Sequence, residues 1–287
     1  MTSIFSAKHI GFFIITLKTI LIIYLILELT VFSQKGFDIS FDRNFLFFVL
    51  AGFVAQLIDG ALGMAYGVSC TTLLLNLGIP PVLASASIHT AEVFTTGVSG
   101  LSHLFLKNVN LKLFFKLAIP GVTGAVIGAY LLSKIFDGNI IKPYISAYLL
   151  VMGIFILIKS FKTIELKDKT KKVSLLGFTG GFCDAIGGGG WGPIVTSNLI
   201  FRGKTPKETI GTVNTAEFFV SFFSTGVFLF FVGVDSWKII LGLIVGGIIA
   251  APIGAYMATK VKPKVLMFLV GLVIIITSSY TIYKSLV

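Results

Sequence analysis

Long apolar segments alternate with short polar gaps along most of the chain. The segments cover about residues 10–32, 46–78, 85–106, 111–134, 143–159, 174–202, 209–232, 236–259 and 264–284. About 20 apolar residues in a helix cross the hydrocarbon core of a bilayer. The pattern therefore predicts an all-α integral membrane protein. The first segment is too long for a signal peptide and lacks a cleavage site, so we interpret it as a retained transmembrane helix.

Composition and charge agree with this class of protein. Of the 287 residues, 55% are hydrophobic and 12% are charged, and the mean hydropathy is +0.98. A soluble domain carries about twice that charged fraction. The net charge of +11 does not indicate a nucleic-acid partner, because the basic residues lie in the gaps without interleaved aromatic residues. Basic gaps orient the chain in the bilayer, and we expect them to face the cytoplasm and anionic lipid.

The chain contains an internal duplication. A shift of 125 residues aligns 52–110 with 177–235 without a gap, and seventeen of these 59 positions are identical. The identities include two pairs of acidic residues in apolar sequence, which chance matching of hydrophobic residues does not explain. The predicted divisions are an extra N-terminal transmembrane helix and loop at 1–44, a first repeat at 45–160, a cytoplasmic linker at 161–173 and a second repeat at 174–287. The polar, charged string from Lys159 to Lys172 at this joint is predicted to be a solvated loop.

The first segment of each repeat is predicted to be a broken helix. A continuous helix over 46–78 would be about 50 Å long, more than one span needs. The strings DGALGMAYG at 59–67 and DAIGGGGWGP at 184–193 interrupt the two segments. Consecutive glycines followed by a proline do not hold a regular helix. Non-helical backbone at membrane depth is stable only when it is covered by protein or lines a wet cavity.

The basic gaps then favour an inverted repeat. If both broken elements are re-entrant, most Lys and Arg residues fall on the cytoplasmic side together with the linker. Each repeat then crosses the membrane an odd number of times, and the chain has seven full crossings. If the arms cross fully, the count is eleven and the inverted relation remains. Secondary transporters follow this plan and bind substrate near the midplane.

The glycine-rich breaks predict an anion-binding site. Backbone N–H groups at such a turn, in front of a helical arm, form a concavity that suits an anion. The candidate substrate-binding residues are Gly188, Gly189, Gly190, Trp191, Gly192, Thr196 and Ser197 in the second repeat and Gly63, Ala65, Tyr66, Gly67 and Thr71 in the first. We expect glycines of the run to adopt φ > 0. The alternatives are close helix packing for the glycines, back-bonding for the hydroxyls and simple packing for the aromatic rings.

The acidic residues in apolar sequence are the candidates for proton coupling. Asp59 and Asp184 are equivalent in the repeat, as are Glu92 and Glu217. Because charged carboxylates are costly inside a membrane, they are functional candidates by default, although the two aspartates can also act as helix caps. His89 precedes Glu92 by three residues, so the two can share a proton. A protonated carboxyl can accompany an anion, which predicts proton coupling, with sodium as the second possibility.

Two strings carry a resemblance to a known family. DAIGGGGWGPIVTSNLIFRGKTP and IGTVNTAEFF in the second repeat resemble the sulfite exporter TauE/SafE family of membrane transporters, and the resemblance covers about 45–285. The first repeat departs from the glycine run with DGALGMAYGVSCTTLL. The resemblance implies export of a small sulfur-containing anion, such as sulfite or an organosulfonate, across the cytoplasmic (inner) membrane. It implies no cofactor.

Two rival functions remain open. A passive anion channel needs no titrating carboxyl. A membrane thiol redox carrier would use Cys70 and Cys183, which are not equivalent in the repeat and show no metal-ligand spacing. An enzyme is not indicated, because no nucleophile and base occur at a usable spacing.

Overall fold

A computed structural model describes residues 6–28, 30, 42–62, 64–161, 172–202, 204–233, 236–260 and 263–286. Gly63 and most of the linker, 162–171, lie outside the described residues. The described part is helical and contains no strand. Its helices are α1 (Ala7–Leu27), α2 (Arg43–Leu62), α3 (Tyr66–Asn76), α4 (Pro81–Phe105), α5 (Leu111–Tyr130), α6 (Gly138–Phe161), α7 (Val173–Gly187), α8 (Ser197–Phe201), α9 (Pro206–Val232), α10 (Trp237–Lys260) and α11 (Pro263–Leu286).

The predicted all-α membrane architecture is confirmed. Each apolar segment corresponds to a helix within a few residues, and the two long segments are each split in two. Among the described residues, five helices are long and apolar enough to cross a membrane: Ala7–Leu27, Leu111–Ile135, Gly138–Phe161, Lys207–Val232 and Met267–Lys284. Large apolar side chains on α1 and α6 point outward, as a surface in contact with lipid tails requires.

The helix ends follow local sequence signals. Pro81 and Pro206, equivalent in the repeat, occupy the first turns of α4 and α9, where their missing N–H costs nothing. The Asn110 side chain caps α5 by accepting a hydrogen bond from the Leu113 N–H at 3.0 Å. These signals fix where the helices begin.

The two breaks occur where glycines and small residues were predicted to interrupt the helices. In the first, α2 ends at Leu62 and Ala65 has a left-handed φ of 89° before α3 begins. In the second, α7 ends at Gly187 and Gly188 has a φ of 62°. A π-helical turn at Gly192–Thr196 then leads into α8. Within the glycine run only Gly188 is left-handed, so the expectation of φ > 0 is wrong for its neighbours.

Helices of the two repeats exchange partners. The helix α2 packs against α10, and its counterpart α7 packs against α5, while α4 packs on α9 and α6 on α11. Contacts between individual residues show the same exchange of partners. A Cβ on Gly52 would lie 2.7 Å from the Leu243 Cα, and one on Gly177 would lie 3.1 Å from the Leu117 Cα. Glycine at both positions therefore allows the paired helices to approach closely.

One basic residue departs from its predicted environment. The polar string that begins at Lys159 was expected to be a solvated loop. Instead α6 continues to Phe161, and Lys159 is buried in its last turn with 8% of its surface exposed. The aliphatic stem of lysine packs well against apolar surface, which makes such burial possible.

Candidate functional site

The two breaks lie directly against each other. A Cβ on Gly67 would lie 2.6 Å from the Gly189 Cα, and one on Gly192 would lie 2.8 Å from the Met64 Cα. The two contacts are equivalent under the 125-residue shift. Glycine at these positions therefore permits close backbone approach, which is the packing alternative considered from the sequence.

Asp184 accepts hydrogen bonds from several of the backbone N–H groups that were predicted to bind an anion. Its backbone carbonyl accepts hydrogen bonds from the N–H groups of Gly188 and Gly189. Its carboxylate Oδ1 accepts from the N–H of Trp191 at 2.9 Å. In the first repeat the carboxylate of Asp59 interacts with the N–H of Tyr66 in the equivalent way. The two aspartates thus cap the arms that follow the breaks, as the capping alternative anticipated.

Asp184 also contacts a histidine of the first repeat. Its Oδ2 lies 3.2 Å from His89 Nε2, and both side chains are almost fully buried. His89 Nδ1 lies 2.8 Å from the Ser85 carbonyl oxygen, while the Ser85 hydroxyl donates to the Ala185 carbonyl at 2.7 Å. A nitrogen facing a carbonyl must carry a hydrogen. One proton therefore also lies between Nε2 and Oδ2. The two side chains are then either an ion pair of imidazolium and carboxylate or a neutral pair of imidazole and carboxylic acid.

Glu92 completes a buried cluster with these two residues. Single ligand atoms of His89, Glu92 and Asp184 lie within 4.8 Å of one another. Glu92 Oε2 accepts a hydrogen bond from the Ser221 hydroxyl at 3.1 Å. Glu217 is within electrostatic reach of the three carboxyls of the other predicted acidic positions. We call these residues the carboxyl cluster: Asp59, His89, Glu92, Asp184 and Glu217. One imidazole nitrogen and two carboxylate oxygens are also a donor set that can hold a cation.

The predicted hydroxyl and aromatic residues line the breaks, and most of them already have structural contacts. Thr71 donates to the Gly188 carbonyl, and Ser197 donates to the Pro193 carbonyl one turn earlier. The Thr196 hydroxyl is buried with no hydrogen-bond partner in the described part of the chain. Trp191 is fully buried with its Nε1–H 3.3 Å from the Val213 carbonyl, and Tyr66 is also buried. The two rings pack in the protein interior.

Two cavities lie in the described part of the protein, one beside the first break and one at the end of α4. One, of about 240 Å³, lies between α2, α3 and α11 beside the first break. It is mostly apolar, with the hydroxyls of Ser69 and Thr72 in its lining. The other, of about 450 Å³, opens where the α4–α5 turn meets the start of α9, and Lys107, Lys207 and Glu208 are in its lining. Glu208 accepts a hydrogen bond from the Asn110 amide at 2.6 Å.

Sequence reasoning did not identify several residues of the site. Ser85 lies four residues before His89 and so shares its helix face, a spacing that was available in the sequence. Tyr148 donates to the Gly189 carbonyl at 2.9 Å, and Lys159 lies 2.6 Å from the Ser197 hydroxyl. No short-range pattern links these two α6 residues to the second break, because the contacts span 41 and 38 residues.

The helical membrane bundle, with buried acidic residues where two broken elements meet, defines a multi-pass membrane transporter and not an enzyme. The chain belongs to the sulfite exporter TauE/SafE family, whose family model matches residues 48–281. The resemblance seen in the second repeat is thereby confirmed, and the match extends over both repeats.

Relatives with curated descriptions agree with this assignment. The chain is 43% identical over 253 residues to a probable membrane transporter protein, YtnM, of Bacillus subtilis (strain 168), covering 85% of this chain and 84% of that protein. It is 28% identical over 241 residues to a probable membrane transporter protein, ORF9, of Sinorhizobium sp, covering 80% and 88%. A shorter match, 25% over 108 residues, covers 38% of this chain and 25% of a sulfite exporter TauE/SafE family protein 6 of Arabidopsis thaliana. No solved structure matches the chain significantly.

Proposed function

We propose that this transporter is a proton-coupled secondary exporter of small sulfur-containing anions, such as sulfite or organosulfonates, in the cytoplasmic membrane. The anion binds at the glycine turns near the midplane. The carboxyl cluster carries the coupled proton. The family of the chain supports the substrate class, and the geometry of the two breaks supports the coupling.

The observation that carries the proposal is the double role of Asp184. One oxygen of its carboxylate caps the second break at the Trp191 N–H, and the other shares a proton with His89 of the first repeat. Any group that competes for the capped N–H must therefore disturb the proton-sharing pair. An incoming anion is such a group, because it seeks the same backbone donor.

The coupling then follows from charge balance. While Asp184 is ionised it repels an anion at the break, because two negative charges in a low-dielectric interior interact strongly. Uptake of one further proton by the His89–Asp184 pair neutralises the carboxylate while His89 keeps its positive charge, and it weakens the hold of Asp184 on the Trp191 N–H. Glu92 lies within 4.8 Å of the pair and is close enough to exchange the proton with it. Anion and proton thus enter the site together.

The cavity of about 450 Å³ with Lys107 and Lys207 in its lining supports entry of the anion from the cytoplasm. Lys107 and Lys207 lie at the opening formed by the α4–α5 turn and the start of α9. Positive charge at a cleft raises the local concentration of anions and their rate of entry. We place this opening on the cytoplasmic side, from which an exporter takes its substrate.

The exchange of helix partners supports a twofold relation between the repeats. Equivalent contacts link α2 to α10 and α7 to α5, as expected when a twofold axis relates the repeats. An axis in the membrane plane and an axis along its normal give the same exchange. The odd number of crossings in each repeat is what favours the inverted arrangement.

The decisive experiment compares Asp184→Asn with Asp42→Asn in proteoliposomes. An asparagine at 184 keeps a side-chain oxygen for the Trp191 N–H but does not ionise. Asp42 is a matched control because its Oδ1 also accepts a backbone hydrogen bond, from Phe45 at 2.8 Å, away from the cluster. We expect Asp184→Asn to retain sulfite counterflow and lose accumulation driven by a pH gradient. Asp42→Asn should behave as the wild type. An Asp184→Asn protein with normal gradient-driven accumulation would contradict the coupling role.

The same assay separates the rivals. A sodium-coupled transporter would respond to a sodium gradient in place of a pH gradient, and a channel would show flux that depends on neither. A thiol carrier would lose activity when Cys70 and Cys183 are both replaced by serine. We expect that double variant to transport normally. Comparing sulfite, sulfate, thiosulfate and sulfoacetate in counterflow identifies the substrate, and failure of all four would reject the proposed class.

A further inference from the structure

The cavity of about 450 Å³ lies where two membrane spans begin. Residues of the α4–α5 turn, 107–110, and of the start of α9, 205–208, line it. Two of the helices that are long and apolar enough to cross a membrane, Leu111–Ile135 and Lys207–Val232, start at these segments. A span starts where the hydrocarbon core meets the headgroup region. The cavity therefore lies at the level of the lipid headgroups.

The lining of this cavity carries an excess of positive charge. Lys107 and Lys207 are exposed, and neither has a hydrogen-bond or ion-pair partner among the described residues. Glu208 is the acidic residue of the described lining, and its Oε1 accepts a hydrogen bond from the Asn110 amide at 2.6 Å. Two ammonium groups and one carboxylate leave a net positive charge, which favours an anionic ligand.

Contacts between the two repeats fix the shape of the cavity. Asn108, in the lining, has 8% of its surface exposed, and its Nδ2 lies 3.4 Å from His103 Nδ1. The Asn110 N–H donates to the Thr212 hydroxyl of α9 at 2.9 Å. The turn of the first repeat is thus held against α9 of the second, so a ligand meets a preformed site.

An apolar surface adjoins the cavity. Phe105 and Leu106, directly before Lys107, have 86% and 59% of their surfaces exposed. Aromatic residues at the end of a membrane span lie at the boundary between headgroups and lipid tails. A ligand that covers both the basic cavity and this surface combines an anionic group with an apolar chain. A phospholipid has this combination, whereas a free oxyanion lacks the chain.

We propose that the cavity binds the headgroup of an anionic phospholipid from the leaflet that we assign to the cytoplasm. The phosphate lies between the ammonium groups of Lys107 and Lys207, and an acyl chain covers Phe105 and Leu106. Basic pockets between transmembrane helices bind anionic headgroups through the same attraction. Phosphatidylglycerol suits the acidic part of the lining, because its headgroup hydroxyls donate hydrogen bonds to Glu208.

A bound lipid gives membrane composition an influence on transport. Its phosphate and incoming sulfite are attracted by the same two ammonium groups, so an occupied cavity attracts sulfite less strongly. This consequence rests on the proposed function, whereas lipid binding itself does not. Binding is therefore measured without sulfite, so that failure of the proposed function leaves the result intact.

The experiment is native mass spectrometry of the full-length protein in detergent, titrated with phosphatidylglycerol. We expect the double variant Lys107→Gln with Lys207→Gln to raise the Kd of the tightest-bound lipid about tenfold or more, because each lysine beside a headgroup contributes about fivefold. If the double variant does not fold, Lys207→Gln alone decides the matter. Its Kd should rise about fivefold, and an unchanged Kd rejects the site.

The matched control is Lys172→Gln with Lys264→Gln. These exposed lysines lie outside the lining of the cavity. Lys172 has a φ of 60°, close to the 55° of Lys107. Lys264 follows the proline that begins α11, as Lys207 follows the proline that begins α9. We expect this control to keep the wild-type Kd, because it removes the same charge from equivalent backbone positions elsewhere.

A second pair of variants tests the apolar part of the site. Phe105→Ala should raise the Kd for phosphatidylglycerol about threefold or more, because an acyl chain loses its contact with the ring. Phe230→Ala, which removes another exposed phenylalanine ring (81%), should leave the Kd unchanged.

Three results would overturn the lipid site. An equal rise in Kd in the two double variants would reduce the effect to general attraction between a basic protein and an anionic lipid. Equal binding of phosphatidylcholine, which has no net charge, would show that the two lysines do not select the headgroup. Inorganic phosphate that binds at the lysines and is not displaced by phosphatidylglycerol would assign the cavity to a free oxyanion.

Discussion

The contact between the two breaks yields a prediction whose size follows from the structure. In Gly67→Ala the new Cβ would lie 2.6 Å from the Gly189 Cα and 2.9 Å from the Gly188 carbonyl oxygen. Ordinary contacts of this kind begin at 3.4 Å, so the two backbones must separate by about 0.8 Å. Neither neighbour is a flexible side chain that can turn away. Overpacking of this type costs about 1–3 kcal/mol of stability.

The same displacement of the two backbones affects the carboxyl cluster. The Trp191–Asp184 and His89–Asp184 contacts, at 2.9 and 3.2 Å, connect the second break to the first repeat. A displacement of the break by several tenths of an ångström weakens both, since hydrogen bonds lose strength beyond about 3.2 Å. We therefore expect Gly67→Ala to lose most sulfite transport in addition to some stability.

The control is Gly226→Ala in α9, where a Cβ meets no atom within 4 Å. Alanine in an open helical position stabilises by about 0.5–1 kcal/mol relative to glycine. The assay is thermal unfolding in detergent together with proteoliposome uptake, on both variants and the wild type. If Gly67→Ala unfolds at or above the wild-type temperature and transports at the wild-type rate, the close approach of the breaks has no part in stability or transport.

Three further predictions follow from the cluster and the topology. Glu92→Gln should uncouple transport from the pH gradient while sulfite still binds, whereas Glu217→Gln should mainly change affinity or stability; equal losses of gradient-driven uptake would refute this asymmetry. Tyr148→Phe removes the hydrogen bond to the glycine run and should cost about 0.5–1.5 kcal/mol in thermal unfolding, and an unchanged unfolding temperature would show that this bond does not hold the turn. Cysteines placed in the linker at 160–172 and in the loop at 260–264 should both be labelled from the cytoplasm, and labelling from opposite faces would exclude the inverted arrangement.

The sequence by itself determined the membrane class, the helices and the positions of the breaks. Hydrophobic length decides whether a segment spans a bilayer, and this property is local to each segment. Glycine and proline likewise interrupt a helix wherever they cluster, as around Gly188. The duplication was also visible, because a shift of 125 residues brings rare acidic positions such as Glu92 and Glu217 into register.

Only the tertiary structure decided which groups meet. The sequence placed His89 next to Glu92 on one helix face, whereas the ring nitrogen Nε2 is directed at Asp184, 95 residues away. It treated the backbone N–H groups of the second break as free donors, although Asp184 accepts hydrogen bonds from those of Gly188, Gly189 and Trp191. It assigned Lys159 to a loop, although the ammonium is buried against Ser197. Contacts between distant segments depend on how the two repeats pack together, and packing is a property of the whole fold that no local pattern of residues contains.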